Sequence, residues 1–502
     1  MAADSLTTPP GTSGSGTTSH DVAGTQPDPR RWAALAVIAI AQLMVVLDAS
    51  IVNIALPDAG ADLGITAANI QWVVTAYTLA FGGLLLLGGR IADFIGRKRA
   101  FLIGLAGFAG ASALGGIAAN QELLFAARGL QGAFAALLAP AALSLLAVTF
   151  TDPKERARAF GVFGAISGGG AAIGLILGGV LTEYASWRWT LGVNVPIAAV
   201  TAVFAVVLVT ESRATGDRRY DVPGVLLSTL GLVSLVYGFS KAAEEGVGWT
   251  DPLTLTLLAA SVVLLVSFVL YERRASHPLL PLRVVLDRNR GGSYLIFLLV
   301  GAGIFAIFLF LTFYFQQTLG YSPLESGFAF LPFSGGIIVG AGIVSQLLPR
   351  VGPRPLILAG LALGVLGMLW LTQIESTSSY VTEVLPAELA ISFGMAAVFV
   401  PASSTALVGV EEHDAGIASA VLNTSQQVGG SLGLALLSTF YASAVSGHLA
   451  DNPGENPGEA FVHGYHVAFI WAGVFLAVAL VIAAVLISAK KDDLPTEGAL
   501  AV

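Results

Sequence analysis

The stretch GRIADFIGRKRAFLIG, Gly89 to Gly104, decides how the rest is read. One apolar run ends in a turn rich in glycine and arginine, and a second begins inside it. A degraded copy, SQLLPRVGPRPLILAG, occupies Ser345 to Gly360, so Gly96 pairs with Gly352 at an offset of 256. A second landmark keeps nearly the same register. The apolar runs after the next basic loops open near Arg158 and near Ala415, 257 positions apart. Two landmarks in one register imply two homologous halves rather than chance likeness between Gly- and Ala-rich segments. Repeated halves with a site between them at the membrane midplane are a transporter architecture.

Composition agrees. The chain has 502 residues, 55% hydrophobic and 11% charged, against roughly 25% charged in ordinary soluble domains. That leaves too little charge to cover a soluble surface. The apolar residues also run along nearly the whole chain, which excludes a single-pass receptor. A net charge of −8 carries little meaning when the loops on the two sides differ in sign. No dense basic stripe with interleaved aromatics points to nucleic acid. With no cysteine, neither a disulfide framework nor a thiolate metal site is available.

A membrane helix needs about 20 mostly apolar residues. That ruler predicts fourteen spans. The first six are Trp32–Leu56, Ile70–Gly88, Ala100–Ala119, Leu123–Phe150, Ala159–Tyr184 and Trp189–Val209. Val222–Phe239 and Leu253–Tyr271 follow as an insert. The last six are Tyr294–Phe315, Gly327–Leu348, Pro355–Leu371, Val384–Val408, Gly416–Tyr441 and Tyr465–Ile487. Of the 24 Lys and Arg residues, all but Arg128, Arg188 and Lys241 then fall on one side, which the positive-inside rule makes cytoplasmic. Missing one span would destroy the alternation. Both termini are therefore expected in the cytoplasm. The expected organisation is a disordered tail (1–31), a six-helix half (32–209), a two-helix insert with linker (210–290), a second half (291–489) and a short tail (490–502). No cleavable leader precedes the first span, which is expected to direct its own insertion.

Several motifs recur in order. The first span ends LDASIVNIALP (Leu47–Pro57), and the second contains QWVVTAYTLA (Gln71–Ala80). The loop that follows holds Gly89, Asp93, Gly96, Arg97, Lys98 and Arg99. The fourth span carries RGLQG (Arg128–Gly132) and the fifth GAISGGGAAIGLILGG (Gly164–Gly179). In this order they make the chain resemble the major facilitator superfamily, and within it the fourteen-helix drug:proton antiporter family of EmrB/QacA type. The resemblance covers Trp32 to Ile487. It implies an all-α integral membrane protein with two six-helix halves plus two inserted helices. It also implies a cytoplasmic gate at the Gly89–Arg99 loop and an antiporter-type seam between the halves at Gly164, Gly170, Gly174, Gly178 and Gly179. Two positions depart from the pattern. Leu175 stands where the antiporter motif has proline, and Phe94 where the loop motif has a basic residue.

Asp48 is the sharpest single feature, about 14 Å from the outer end of its span. An ionised carboxylate at a helix centre costs roughly 2.5–3.5 kcal/mol, so burial favours binding a proton there. Arg128, about 8 Å from the outer end of the fourth span, is the one basic residue inside a span. A guanidinium there must find a carboxylate, carbonyls or water. Small residues beside both charges, Ala41 and Ala55 on one helix and Gly132, Ala135 and Ala139 on the other, allow the helices to approach. Asp48 and Arg128 are the expected proton-coupling pair, the alternative being a purely structural salt bridge.

Candidates for the substrate cavity are Tyr77, Gln131, Phe313, Gln316, Asn423, Gln426 and Gln427. The remaining aromatics of the ninth span read mainly as lipid-facing. Glu388 is a possible second acid, although its closeness to the outer interface favours simple solvation. His463 and His466 read as solvated residues of the last outer loop, and Asn452–Glu459 as consecutive turns. No metal, cofactor or enzymatic chemistry is expected. No nucleotide-binding sequence appears, so energy comes from a gradient. One charge crossing 100 mV yields about 2.3 kcal/mol, enough for roughly 50-fold concentration.

The expectation is a proton-coupled exporter of hydrophobic or cationic small molecules, including antibiotics, monomeric in a bacterial cytoplasmic membrane. The alternatives are an uptake symporter of the same fold, kept open by Leu175, and a receptor without transport, which would need a soluble domain or long loop.

Overall fold

Long apolar runs bounded by helix caps become helices because a backbone inside lipid must satisfy its own hydrogen bonds. The computed structural model describes residues 29–66, 69–213, 221–242, 247–275, 278, 280, 282–410, 415–454 and 456–493. Most of the expected N-terminal tail, Arg218, Arg219 and the last nine residues lie outside the described residues. Among the described residues, fourteen helices are long and apolar enough to cross a membrane. They are α1 (Arg31–Leu63), α2 (Trp72–Ile95), α3 (Arg97–Gly116), α4 (Gln121–Thr149), α5 (Lys154–Tyr184) and α6 (Arg188–Leu208). Next come α7 (Val222–Ala242) and α8 (Pro252–Glu272). The chain closes with α9 (Arg288–Thr318), α10 (Pro323–Val351), α11 (Pro353–Leu371), α12 (Tyr380–Ala406), α13 (Gly416–Asp451) and α14 (Pro457–Leu486).

Local chemistry sets the starts. Asp152, Asp251 and Asp287 accept hydrogen bonds from backbone N–H groups of the first turns of α5, α8 and α9. Ser322 and Glu325 form a reciprocal capping box at α10. Several helices outrun the sequence estimate: α1 continues through Pro57 to Leu63, and α13 to Asp451. Of the expected consecutive turns, the second starts a helix instead. Asn456 caps α14 and Pro457 occupies its first turn. His463 and His466 therefore lie on α14 rather than in a loop. His463 stacks on His448 and His466 bonds the carbonyl of Ile374.

The duplication is visible in the backbone. Gly96 joins α2 to α3 at φ 109°, and Gly352 joins α10 to α11 at φ 84°. Each reverses the chain through one left-handed residue, a conformation glycine adopts without Cβ strain. Helix packing repeats with the same step of eight helices. α1 packs on α5 and α6 as α9 does on α13 and α14. α2 packs on α4 as α10 does on α12, and α3 on α4 and α6 as α11 does on α12 and α14. The halves meet through α2 against α13 and α5 against α10, the same contact seen from either half. The insert docks by α7 over the α2–α13 seam. Trp72 Nε1 donates to Ser240 Oγ at 2.6 Å, and Leu79, Val236 and Ala435 are buried together. α8 packs on α7 and exposes most of its surface.

The α5–α10 seam is closed at one end. Leu324 N–H donates to Glu183 at 3.1 Å, and Gln316 of α9 donates to the Ile54 carbonyl of α1 at 2.9 Å. At the other end Gly161, Gly164 and Gly168 of α5 and Gly335 and Gly342 of α10 would meet nothing within 4 Å if each carried a Cβ.

Candidate proton-coupling site

Asp48 and Arg128 meet because α2 and α4 touch backbone to backbone. A Cβ on Gly132 would lie 2.2 Å from the Tyr77 carbonyl oxygen, so only glycine allows that approach. It delivers Arg128 to both neighbours at once. Nε donates to the Val73 carbonyl at 2.8 Å, and the guanidinium stacks 4.6 Å from the Tyr77 ring centroid. One terminal nitrogen then reaches Asp48 Oδ2 at 2.6 Å and Gln131 Oε1 at 2.9 Å. The other carboxylate oxygen, Oδ1, accepts from Gln131 Nε2 at 2.9 Å and Asn194 Nδ2 at 2.8 Å. Gln131 Nε2 also donates to Ser112 at 2.6 Å. Asp48, Arg128 and Gln131 are all 0% exposed.

The pair is thus neither against lipid nor between the halves. It lies within the first six-helix half, held by residues of α1, α2, α3, α4 and α6. Buried ion pairs need their remaining donors and acceptors satisfied, and here most are. The exceptions are Asn194 Oδ1 and the Tyr77 hydroxyl, buried beside the site without hydrogen-bond partners.

Other expected residues are placed differently. Tyr77 and Gln131, read as cavity-lining, are buried parts of this network. Both amide atoms of Gln131 are consumed by it. Gln316 belongs to the closed end, bonded to Ile54. Phe313 is partly buried against the core. The aromatics of α9 do not face lipid in the main. Phe297 packs on Phe399, Phe308 on Phe330 and Phe333, and Phe310 on Tyr441 and Phe469. The helix sits at the centre of its half, which buries both of its faces. Asn423 is exposed on α13, Gln426 and Gln427 are half-buried, and Gln427 rests against Gly82 of α2.

Glu388 is not solvated. It is 0% exposed, because α12 starts two turns earlier, at Tyr380, and carries it inward.

The glycine seam also needs correction. Gly170, Gly174 and Gly178 share one helical face, and that face packs on α1. Their nearest neighbours are Val46 and Leu43, Ser50 and Leu47, and Ile51. Gly179, one residue round the helix, meets Leu324 and Pro323 of α10. Gly164, six residues before Gly170, points about 120° away from the stripe. Only the last glycine therefore joins the halves, helped by Leu175, whose carbonyl oxygen lies 2.6 Å from a Cβ placed on Gly327.

In the loop motif, Asp93 pairs with Arg97, four residues on, at 2.9 Å. Glu211, beyond α6, accepts from Lys98 N–H at 3.1 Å at the start of α3, and Lys98 Nζ donates to the Val206 carbonyl. Arg99 lies 3.8 Å from Glu211, and Gly89 is in ordinary contact with Pro140. Among the described residues these bonds stay within the first half and Glu211 of the linker that follows it. Sequence reading did not find Asn194, Ser112 or Glu211. A lone asparagine in the otherwise apolar sixth span was the available signal for the first.

Duplicated helical halves with a buried acid inside the membrane define a secondary transporter. The family model described as Major Facilitator Superfamily matches residues 38–434. The puromycin resistance protein pur8 of Streptomyces alboniger is 50% identical over 483 residues, 95% of each chain. The cephamycin export protein CmcT of Amycolatopsis lactamdurans is 40% identical, over 92% of this chain and 94% of that one. Among solved structures, a bacterial homologue of the human lysosomal transporter Spinster, inward-facing and occupied, matches with a TM-score of 0.66. Its sequence identity is 14%, and the match covers 93% of this chain and 99% of that one. The chain belongs to the major facilitator superfamily, in its fourteen-helix drug-transporter family.

Proposed function

We propose that this protein exports hydrophobic, antibiotic-like compounds from the cytoplasm of a bacterium in exchange for external protons, as a monomer in the cytoplasmic membrane. The observation that carries the export reading is the near full-length likeness to chains named for antibiotic resistance and export. With the basic loops inside and both termini cytoplasmic, the closed end of the α5–α10 seam faces outward and the bundle opens to the cytoplasm. The two halves, with boundaries near residues 32–209 and 291–489, rock about the α2–α13 and α5–α10 contacts. The Gly89–Arg99 loop, bonded within its own half in this state, closes the cytoplasmic side in the opposite one.

Coupling is assigned to Asp48 and Arg128. The network sets the Asp48 carboxyl against a guanidinium and two amide donors. Protonating Asp48 leaves Arg128 with no counter-charge in a dry site, so the helices that carry the two residues are driven to rearrange. α1 passes that movement on, since its opposite face is locked into the α5 glycines and α5 closes on α10. Exposed Asn423 and half-buried Gln426 and Gln427 are assigned to the substrate path.

The test is transport in proteoliposomes. Export of puromycin-like and other lipophilic compounds should follow an imposed pH gradient and collapse when a protonophore removes it. Uphill movement that persists without any gradient would refute proton exchange. Movement of substrate in the same direction as the protons would make the protein a symporter.

A further inference from the structure

A second carboxyl lies buried in the other half, and no cation among the described residues pairs with it. Glu388 is 0% exposed, and its Oε1 has no hydrogen-bond partner. Its Oε2 lies 3.2 Å from the Tyr380 hydroxyl oxygen, which also lies 2.7 Å from the carbonyl oxygen of Ala329. A phenol has one proton to donate. The shorter contact, to a carbonyl that can only accept, takes it. The 3.2 Å contact is then a hydrogen bond only if the carboxyl carries a proton and donates to the phenol oxygen. An ionised Glu388 would present lone pairs to a phenol already committed elsewhere, and would stand as an unpaired charge in a dry interior.

The arrangement sits behind the closed end. Ala329 ends the first segment of α10, two residues after Gly327, which packs on the backbone of Leu175 in α5. The phenol therefore ties the carboxyl on α12 to the segment that touches the opposite half. Irregular backbone surrounds it: α9 ends and α12 begins in single π-helical turns, Tyr314–Thr318 and Tyr380–Val384, a feature frequent at functional sites. The ring of Phe315 stands 6.0 Å from Tyr380 and 5.3 Å from Phe330.

Other titratable groups face this end of α12. Tyr321, between α9 and α10, stacks on Phe315, Tyr314 of α9 donates its hydroxyl to the Glu375 backbone carbonyl, and Glu383 of the π turn has Oε2 buried without a hydrogen-bond partner. α10 contributes Glu325, used in its own cap. α11 presents Gly367 to Ile391 and Ala387, and α13 carries His448 and Asp451 at its outer end.

We propose that Glu388 is a second proton-binding site, neutral while the outer ends of α5 and α10 are closed and ionised when their separation lets water reach it. It rests on the proton-exchange reading and adds to it a pH-sensitive outer gate, the proton entering and leaving Glu388 from the outer side. External protons would favour closure, returning the empty carrier to its cytoplasm-open form.

The experiment uses the absence of cysteine in the chain. Ile117→Cys and Val381→Cys, exposed at the outer ends of the two halves, receive spin labels in a full-length Asp48→Leu, Arg128→Met background, which leaves neither partner stranded, reconstituted in liposomes. Distances are measured from pH 5 to 9 without substrate or gradient. With Glu388 present, the open-to-closed ratio should rise with pH, by up to about tenfold per unit for one linked proton. Glu388→Gln, which mimics the protonated acid, should remain closed and change by less than about twofold per unit. Tyr380→Phe, which removes the acceptor of the carboxyl proton, should move the midpoint to lower pH, and decides the matter should the glutamine variant not fold. A parent without pH dependence, a Glu388→Gln variant that titrates like the parent, or an unmoved Tyr380→Phe midpoint overturns the proposal. Failure of gradient-driven export with this titration intact would instead refute only the exchange reading.

Discussion

The guanidinium of Arg128 lies 2.6 Å from Asp48, and neither side chain is exposed by more than 1%. Neutralising one partner strands the other. Asp48→Asn should abolish pH-driven export and destabilise the protein by about 3–5 kcal/mol, the usual cost of breaking a buried pair. Replacing both, as Asp48→Leu with Arg128→Met, should recover most of the thermal stability in detergent but none of the export. Recovery of concentrative transport in the double variant would remove the pair from the mechanism.

Asn194 donates to Asp48 Oδ1 at 2.8 Å. Asn194→Ala removes one of the two amide donors to that oxygen and should cost about 1–3 kcal/mol of stability. Thermal unfolding in detergent gives the answer, and an unchanged melting temperature would show that the bond contributes nothing.

Gly327 and Gly164 have opposite surroundings. A Cβ at Gly327 would sit 2.6 Å from the Leu175 carbonyl oxygen, whereas one at Gly164 meets nothing within 4 Å. Gly327→Val should hold the outer ends apart and lower cross-linking between cysteines placed at Glu183 and Leu324, which touch across the seam, several-fold. Gly164→Ala should leave both cross-linking and export near parental levels.

Gly96 holds φ at 109°, with Glu211 2.6 Å from where a Cβ would stand. Gly96→Ala should cost about 1–3 kcal/mol in backbone strain, seen as a lower melting temperature. Gly352→Ala, at φ 84° in the matching turn, should lose a similar amount. A neutral result at both would mean that these turns relax freely.

The spans were legible because each lipid-facing residue reports its own transfer free energy, independent of partners. The meeting of Asp48 and Arg128 was legible too, since an isolated charge in a span demands a partner and only two charges lay deep in the first half. Gln131 and Tyr77 were misassigned because a polar residue reads alike whether it lines water or completes a buried network. Glu388 looked solvated while its helix was taken to begin at Val384. The π turn from Tyr380 sinks it by another turn.

The sequence alone determined the number of membrane helices, the internal duplication and the positions of the few charges, since hydropathy and spacing are local properties that add residue by residue. Tertiary structure alone decided that the glycines of α5 grip α1, that Asn194 reaches Asp48 from 146 residues away, and that Tyr380 stands between Glu388 and the closed end. Inside a bilayer, lipid and neighbouring helices are equally apolar, so solvation does not say which faces meet. That choice belongs to close packing and hydrogen bonds between segments far apart in the chain.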